Sequence, residues 1–220
     1  MNDGTLRDAT AGPYVGLEPL RAQDRPYLKG REDDQRVVIA NLRTASLTIL
    51  YGAAGVGKST LLLAGVVPQL QQDFPRTPVV VFRDWINADY PRRLARTCID
   101  VTWRLGTDHP RPAEDRPLDE LLRACAEASR STVLVLLDQF EEYLQYHPKS
   151  DAAESFEAQF ARAVNREDVD VGFLISVRES SLPKLDRFRE RIPQLLGNSL
   201  RLKHLDEAAQ YSEALRGSLL

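Results

Sequence analysis

A chain of 220 residues can bury one good α/β core but is short for two. With 43% apolar residues, 28% charged residues and a formal charge of -3, it is too apolar for a disordered chain, and its bulk charge gives no sign of attraction to nucleic acid or an anionic membrane. Cys98 and Cys125 lack C-x-x-C spacing, no signal-peptide core opens the chain, and no apolar run nears the roughly 20 residues that span a bilayer, so a reducing, cytoplasmic setting is expected.

Residues 1–30 read as a leader in which Pro13, Gly16, Pro19 and Pro26 keep the backbone irregular while Tyr14, Leu17, Leu20 and Tyr27 supply apolar surface for packing. The main domain is expected over 31–205. Thr48–Tyr51 is predicted as a buried strand, followed by a leucine-rich helix over Lys58–Gln72 that is bent or ended near Pro68. Pro78–Phe82 is a second strand, Tyr90–Trp103 a helix, His109–Pro117 a polar surface break and Leu118–Ser129 a further helix. Strands at Val133–Leu137 and Val171–Val177 flank an amphipathic helix at Ala152–Val164. Short helical pieces broken by Pro183 and Pro193 then lead to a fifth strand near Leu200–Leu202. A last helix over Asp206–Arg216 is expected to begin a helical or winged-helix region at 206–220. Strands alternating with helices require right-handed crossovers, and the predicted class is a three-layer α/β sandwich around a parallel sheet.

Gly52-Ala53-Ala54-Gly55-Val56-Gly57-Lys58-Ser59 fits G-x-x-x-x-G-K-[ST] at every fixed position and stands where a strand ends and a helix begins. The loop must curl until successive backbone N–H groups point inward at a polyphosphate, and side chains at Gly52 or Gly57 would obstruct that path. The helix start adds favourable potential. Lys58 is placed to reach the β and γ phosphates, the Ser59 hydroxyl to bind magnesium, and Thr60 to make a secondary phosphate contact.

Val133–Leu137 runs into Asp138-Gln139-Phe140-Glu141-Glu142. A carboxylate at the end of a buried strand, following a P-loop, marks Asp138 as the second magnesium holder, acting through water. Hydrolysis further needs a group that orients or deprotonates a water. Gln139 is a poor base, which leaves Glu142 as the preferred activator and Glu141 as the second choice. Both can also be read as a solvated helix start. Arg178 ends the fourth strand on the carboxyl edge, where ligands of open α/β sheets gather, and is a candidate γ-phosphate sensor or an ordinary surface arginine.

These segments together resemble the STAND class of signal-transduction NTPases in the AAA+-like branch of P-loop proteins, especially the bacterial novel-STAND group. Pro13-Tyr14-Val15-Gly16-Leu17 with Gly30-Arg31-Glu32 is similar to the leader of that group, and Ala64-Gly65-Val66-Val67-Pro68 to its AGxxP pattern. Asp138-Gln139-Phe140-Glu141-Glu142 matches its DQFEE box, and Ser176-Val177-Arg178 its strand-borne sensor. Tyr27-Leu28-Lys29 departs from the usual double aromatic before GRE.

The resemblance implies sheet order 5-1-4-3-2 and a cytoplasmic switch that binds ATP or ADP with Mg2+, hydrolyses ATP weakly and works through self-association or a protein partner. Many such relatives act in bacterial defence. It also implies that the leader, Gly30 and Arg31 help enclose the adenine and ribose.

Two other readings stay open. One is an interaction module that binds ATP for stability without turnover. The other is a small-molecule kinase, with Arg92, Arg93 and Arg96 or Arg187, Arg189 and Arg191 imitating a lid. No N/T-K-x-D segment reads guanine, the histidines His109, His147 and His204 lack zinc-ligand spacing, and Trp85 and Trp103 read as packing residues.

Overall fold

The apolar runs that precede Gly52, Asp138 and Arg178 become neighbouring strands of one sheet. In the computed structural model, which describes residues 30–205, the strands are β1 (Leu47–Gly52), β2 (Val79–Phe82), β3 (Val133–Leu137), β4 (Val171–Arg178) and β5 (Ser199–Arg201). They lie in the order β2-β3-β4-β1-β5, the expected 5-1-4-3-2 read from the opposite edge. Every pairing is parallel. The leader before Gly30 and the helix expected at Asp206–Arg216 lie outside the described residues.

Both faces of the sheet are covered, and successive strand residues therefore enter different apolar cores. Leu50, Val79, Leu134, Leu136 and Leu174 pack under α1 (Glu32–Thr44) and α2 (58–73), against Val38, Leu42, Leu61, Leu62 and Val66. Ile49, Val80, Val135, Leu137, Phe173 and Ile175 face the other way. That second core is completed by α3 (Tyr90–Arg104), α4 (Leu118–Ser129), α5 (Phe140–Tyr146) and α6 (Phe156–Asn165). Burial on two sides explains why the strands read as continuous apolar runs without alternation.

Three helical features differ from expectation. Pro68 neither ends nor breaks α2. The helix instead opens into a π-helical stretch at Leu61–Val66, between a first turn at Lys58–Thr60 and a last part at Val67–Asp73. Proline has no N–H for the carbonyl four residues back, and the wider winding carries the chain past that gap. The helix expected from Ala152 begins at Phe156, because the Ser155 hydroxyl caps it by accepting the Ala158 N–H at 3.3 Å. α1, which buries only Val38 and Leu42, has no counterpart among the predicted elements, whereas the seven-residue α5 is the helix whose start was one reading of Glu141 and Glu142. After β4 the chain runs as a 3-10 helix over Glu179–Phe188 with Pro183 inside it. No helix among the described residues is long and apolar enough to cross a membrane.

Gly172 lets α1 settle onto β4. A Cβ at this position would collide with the Leu42 carbonyl oxygen and stand 3.0 Å from Cδ2 of Leu134. Backbone cannot swing aside as the tip of a side chain can. Gly172→Ala is therefore expected to lower stability by about 1–3 kcal/mol, measured as an earlier midpoint in equilibrium urea unfolding.

Candidate nucleotide site

The loop 52–59 joins β1 to α2, and its glycines answer to two different constraints. Gly55 and Gly57 have φ of 74° and 94°, the left-handed region that L side chains rarely adopt, yet beyond the adjoining residues no atom of the described residues lies within 4 Å of a Cβ built on either. At Gly57, then, backbone conformation rather than protein crowding requires glycine. Gly52 is the reverse case: a Cβ there would meet the Leu202 carbonyl oxygen at 2.5 Å and Val56 Cγ1 at 3.1 Å. Ala53, Ala54 and Gly55 are exposed at the rim, Val56 is buried, and Ser59 and Thr60 are half-buried in the first turn of α2.

Lys58 is buried at the base of this loop. Its Nζ donates to the carbonyl oxygens of Gly52 and Ala53, each at 3.0 Å. Burial lowers its pKa from the ordinary lysine value, while the carboxylates of Glu141 and Asp138 act in the opposite sense. The ammonium thus lies between loop carbonyls and an acidic edge.

Asp138 follows β3 and is completely buried, and neither carboxylate oxygen has a hydrogen-bond partner among the described residues. Its backbone is held firmly. The Asp138 N–H donates to the Phe82 carbonyl at 2.8 Å, and Trp85 Nε1 donates to the Asp138 carbonyl at 2.8 Å. Trp85 sits among Phe82, Phe140 and Tyr143, with ring centroids 4.8, 5.1 and 5.6 Å away. The next residue, Gln139, takes φ of 54°, turning the chain sharply from β3 into α5.

That turn brings Glu141 to Arg178. Arg178 Nε donates to Glu141 Oε1 at 2.9 Å, and the Arg178 backbone N–H donates to Oε2 at 3.2 Å. Strand register places Arg178 beside Gly52, the first residue of the loop. The pKa of Glu142 is raised, first by burial and then by the neighbouring Glu141 carboxylate, with Arg83 and Arg178 opposing. Lys58, Asp138, Glu141 and Arg178 therefore meet on one carboxyl edge, and all but the lysine lie within electrostatic reach of Glu142.

Arg31 does something its sequence position does not reveal. Its guanidinium is buried, donating through one terminal nitrogen to the Val56 carbonyl at 2.9 Å and through the other to Asp34 at 2.8 Å. Gln35 adds a second tie from α1, from Nε2 to the Gly65 carbonyl at 3.1 Å. Gly30, with φ of 76°, forms the turn that leads into Arg31. Two more contributors escaped the sequence reading, Arg83 and the polar edge of Trp85. Their only signal was a position just past β2, on the same edge as Asp138. Elsewhere, Arg93 pairs with Asp84, and Arg96 pairs with Glu114 at 2.8 Å. Among the described residues no group of three or more His, Cys, Asp or Glu could hold a metal by itself.

The fold and this edge are those of a P-loop NTPase domain. The chain belongs to the Novel STAND NTPase 1 family, whose model matches residues 13–218. Among solved structures it is similar to a Walker-type ATPase of Pyrococcus abyssi, at 18% identity and a TM-score of 0.63, over 93% of this chain and 62% of that one. It is also similar to the ORC2 protein of Aeropyrum pernix, at 18% identity and a TM-score of 0.59, over 94% and 55% of the two chains. Cdc6p of Pyrobaculum aerophilum follows at 15% and 0.56, over 90% and 51%. At these identities the likeness is one of fold, and the chain spans between about half and three-fifths of the length of these proteins. No curated protein matches it in sequence.

The double tie from Arg31 predicts a role in the loop itself, separate from any contact with a base. Arg31→Ala should lower nucleotide-free stability by about 1.5–3 kcal/mol, read as a reduced melting temperature before any nucleotide is added. A side chain reserved for the base would leave that temperature unchanged.

Proposed function

We propose that this domain is a nucleotide-dependent signalling switch with weak ATP hydrolysis, acting in the cytoplasm through self-association or a protein partner, in a setting such as bacterial defence. One observation carries the reading. Register puts Arg178 beside the first residue of the phosphate loop while its side chain is engaged by Glu141. The arginine therefore has two rival partners, a carboxylate of its own chain and a third phosphate. A device that distinguishes triphosphate from diphosphate needs such a choice.

The donor set suits magnesium. Ser59 offers a hydroxyl oxygen, and Asp138 a buried carboxylate whose oxygens have no hydrogen-bond partner among the described residues, both of them hard ligands for a hard cation. A magnesium ion held by Ser59 and Asp138 would polarise the terminal phosphoanhydride of ATP. Residues 52–57 wrap the phosphates with backbone N–H groups, and Lys58 exchanges its bonds to the Gly52 and Ala53 carbonyls for phosphate oxygens. Arg178 turns from Glu141 toward the terminal phosphate. Glu142, whose raised pKa makes it a stronger base than an ordinary glutamate, accepts the proton of the water whose oxygen bonds to the γ phosphorus as the bond to the β–γ bridging oxygen breaks and ADP leaves, with Glu141 as the second candidate once Arg178 has left it. Gly30 and Arg31 stand at the base-binding side by family resemblance.

Glu142→Gln is expected to keep nucleotide binding and slow turnover about 100-fold or more, measured by phosphate release beside an ATP titration; undiminished release would remove the assignment. In the parent, turnover should fall as pH drops through the raised Glu142 pKa, because protonation removes the base. The acid limb should therefore lie above the ordinary glutamate value of about 4.3.

Arg178→Ala should reduce the preference between ATP and ADP about tenfold in paired calorimetric titrations. Equal discrimination by variant and parent would refute the sensing role.

A further inference from the structure

Besides Asp138, one other described residue has a buried polar side-chain atom without a partner. Among the described residues the Ser176 hydroxyl, on a residue 1% exposed, finds no hydrogen-bond partner, and neither does either oxygen of the Asp138 carboxylate. The strand register brings these orphans together. The last paired residues of β3 and β4 are Leu137 and Ile175, so Asp138 stands beside Ser176, and on its other side Ser176 pairs with Leu50 of β1.

Strand alternation fixes the direction of both side chains. Leu134, Leu136, Leu174 and Leu50 all enter the core beneath α2. Asp138 and Ser176 continue the same alternation and face the same layer, where α2 opens with Lys58 and Ser59. A buried hydroxyl with no partner is unfavourable in a leucine-rich layer, where alanine would serve packing as well. Three unpartnered oxygens on one patch do, however, match what an ordered water requires.

We infer that Ser176 is a positioning residue for the nucleotide's magnesium ion, holding jointly with Asp138 a water of the ion's hydration shell. This rests on reading the site as one for a magnesium nucleotide. The hydrogen bonding is complementary. A water whose lone pair faces a cation has two hydrogens left to donate, one for the Asp138 carboxylate and one for Ser176 Oγ. The Ser176 proton then remains free to point to another acceptor. With one acceptor removed, the water keeps its place less well, and the ion with it.

The test is Ser176→Ala in the full chain, compared with the parent and with Asp138→Asn. ATP affinity is titrated calorimetrically in excess magnesium and in EDTA, and the melting temperature is taken without nucleotide or metal. The expected result has three parts: EDTA affinity equal to the parent's, a gain in affinity from magnesium reduced about three- to tenfold, and a melting temperature equal to or above the parent's. Asp138→Asn should lose more of the magnesium gain. A magnesium gain as large as the parent's would overturn the proposal. So would a lower melting temperature or failure to fold, since either would show that Ser176 serves the apo fold. A parent that binds ATP no better with magnesium would instead overturn the underlying reading of the site, and this proposal with it.

Discussion

A carboxylate taken fully out of water is tolerated in a folded protein when something compensates its charge, and among the described residues Asp138 has the electrostatic attraction of Lys58 but no hydrogen-bond partner. Much of the surrounding structure bears on this residue. Its backbone is held on both sides, the N–H by the Phe82 carbonyl and the carbonyl by Trp85 Nε1, which fixes the point from which the carboxylate projects. The aromatic packing around Trp85 links that hydrogen bond to β2 and α5. A buried carboxylate without a hydrogen-bond partner among the described residues, facing the start of α2 beside the Lys58 ammonium, is preorganised to take part in binding a further cation, and it fits the nucleotide chemistry of the family to which the chain belongs.

The phosphate loop shows the complementary logic. A cradle of N–H groups must keep its shape without the anion it receives, and here much of the bracing comes from outside the motif. Arg31 holds the Val56 carbonyl, Gln35 holds the π-helical stretch through Gly65, and the Leu202 carbonyl presses close enough to Gly52 to exclude a side chain. Lys58 in turn is bonded to loop carbonyls rather than extended into solvent. Helix α1 thus belongs to the site although it contributes no residue of the glycine-rich motif.

On the opposite side of the cradle, charges are distributed unequally between two adjacent glutamates. Glu141 is neutralised by Arg178, whereas Glu142 is partly desolvated and repelled by Glu141, which raises its pKa. Adjacent residues on one helical turn can therefore serve different purposes, one engaging the arginine and the other accepting a proton. The separation arises from direction, since consecutive helical positions point about 100° apart.

By itself, the sequence determined the class of the fold, the strand order through family resemblance, and the identity of the loop, because glycine spacing, the lysine and the strand-ending aspartate are chemical requirements that few other arrangements meet. It also marked Glu141, Glu142 and Arg178 as candidates without relating them to one another. Helix α1 was missed because only Val38 and Leu42 of its thirteen residues are buried, too thin a stripe to give a helical period. The helix over Lys58–Gln72 was legible, but its π-helical winding ahead of Pro68 was hidden, because such a stretch depends on packing rather than on local propensity. Tertiary structure alone decided which strand residues face which layer. Strands apolar on both sides carry no alternating signal, and the common direction of Asp138 and Ser176, the pairing of Glu141 with Arg178 and the grip of Arg31 on Val56 all depend on contacts between segments far apart in the chain.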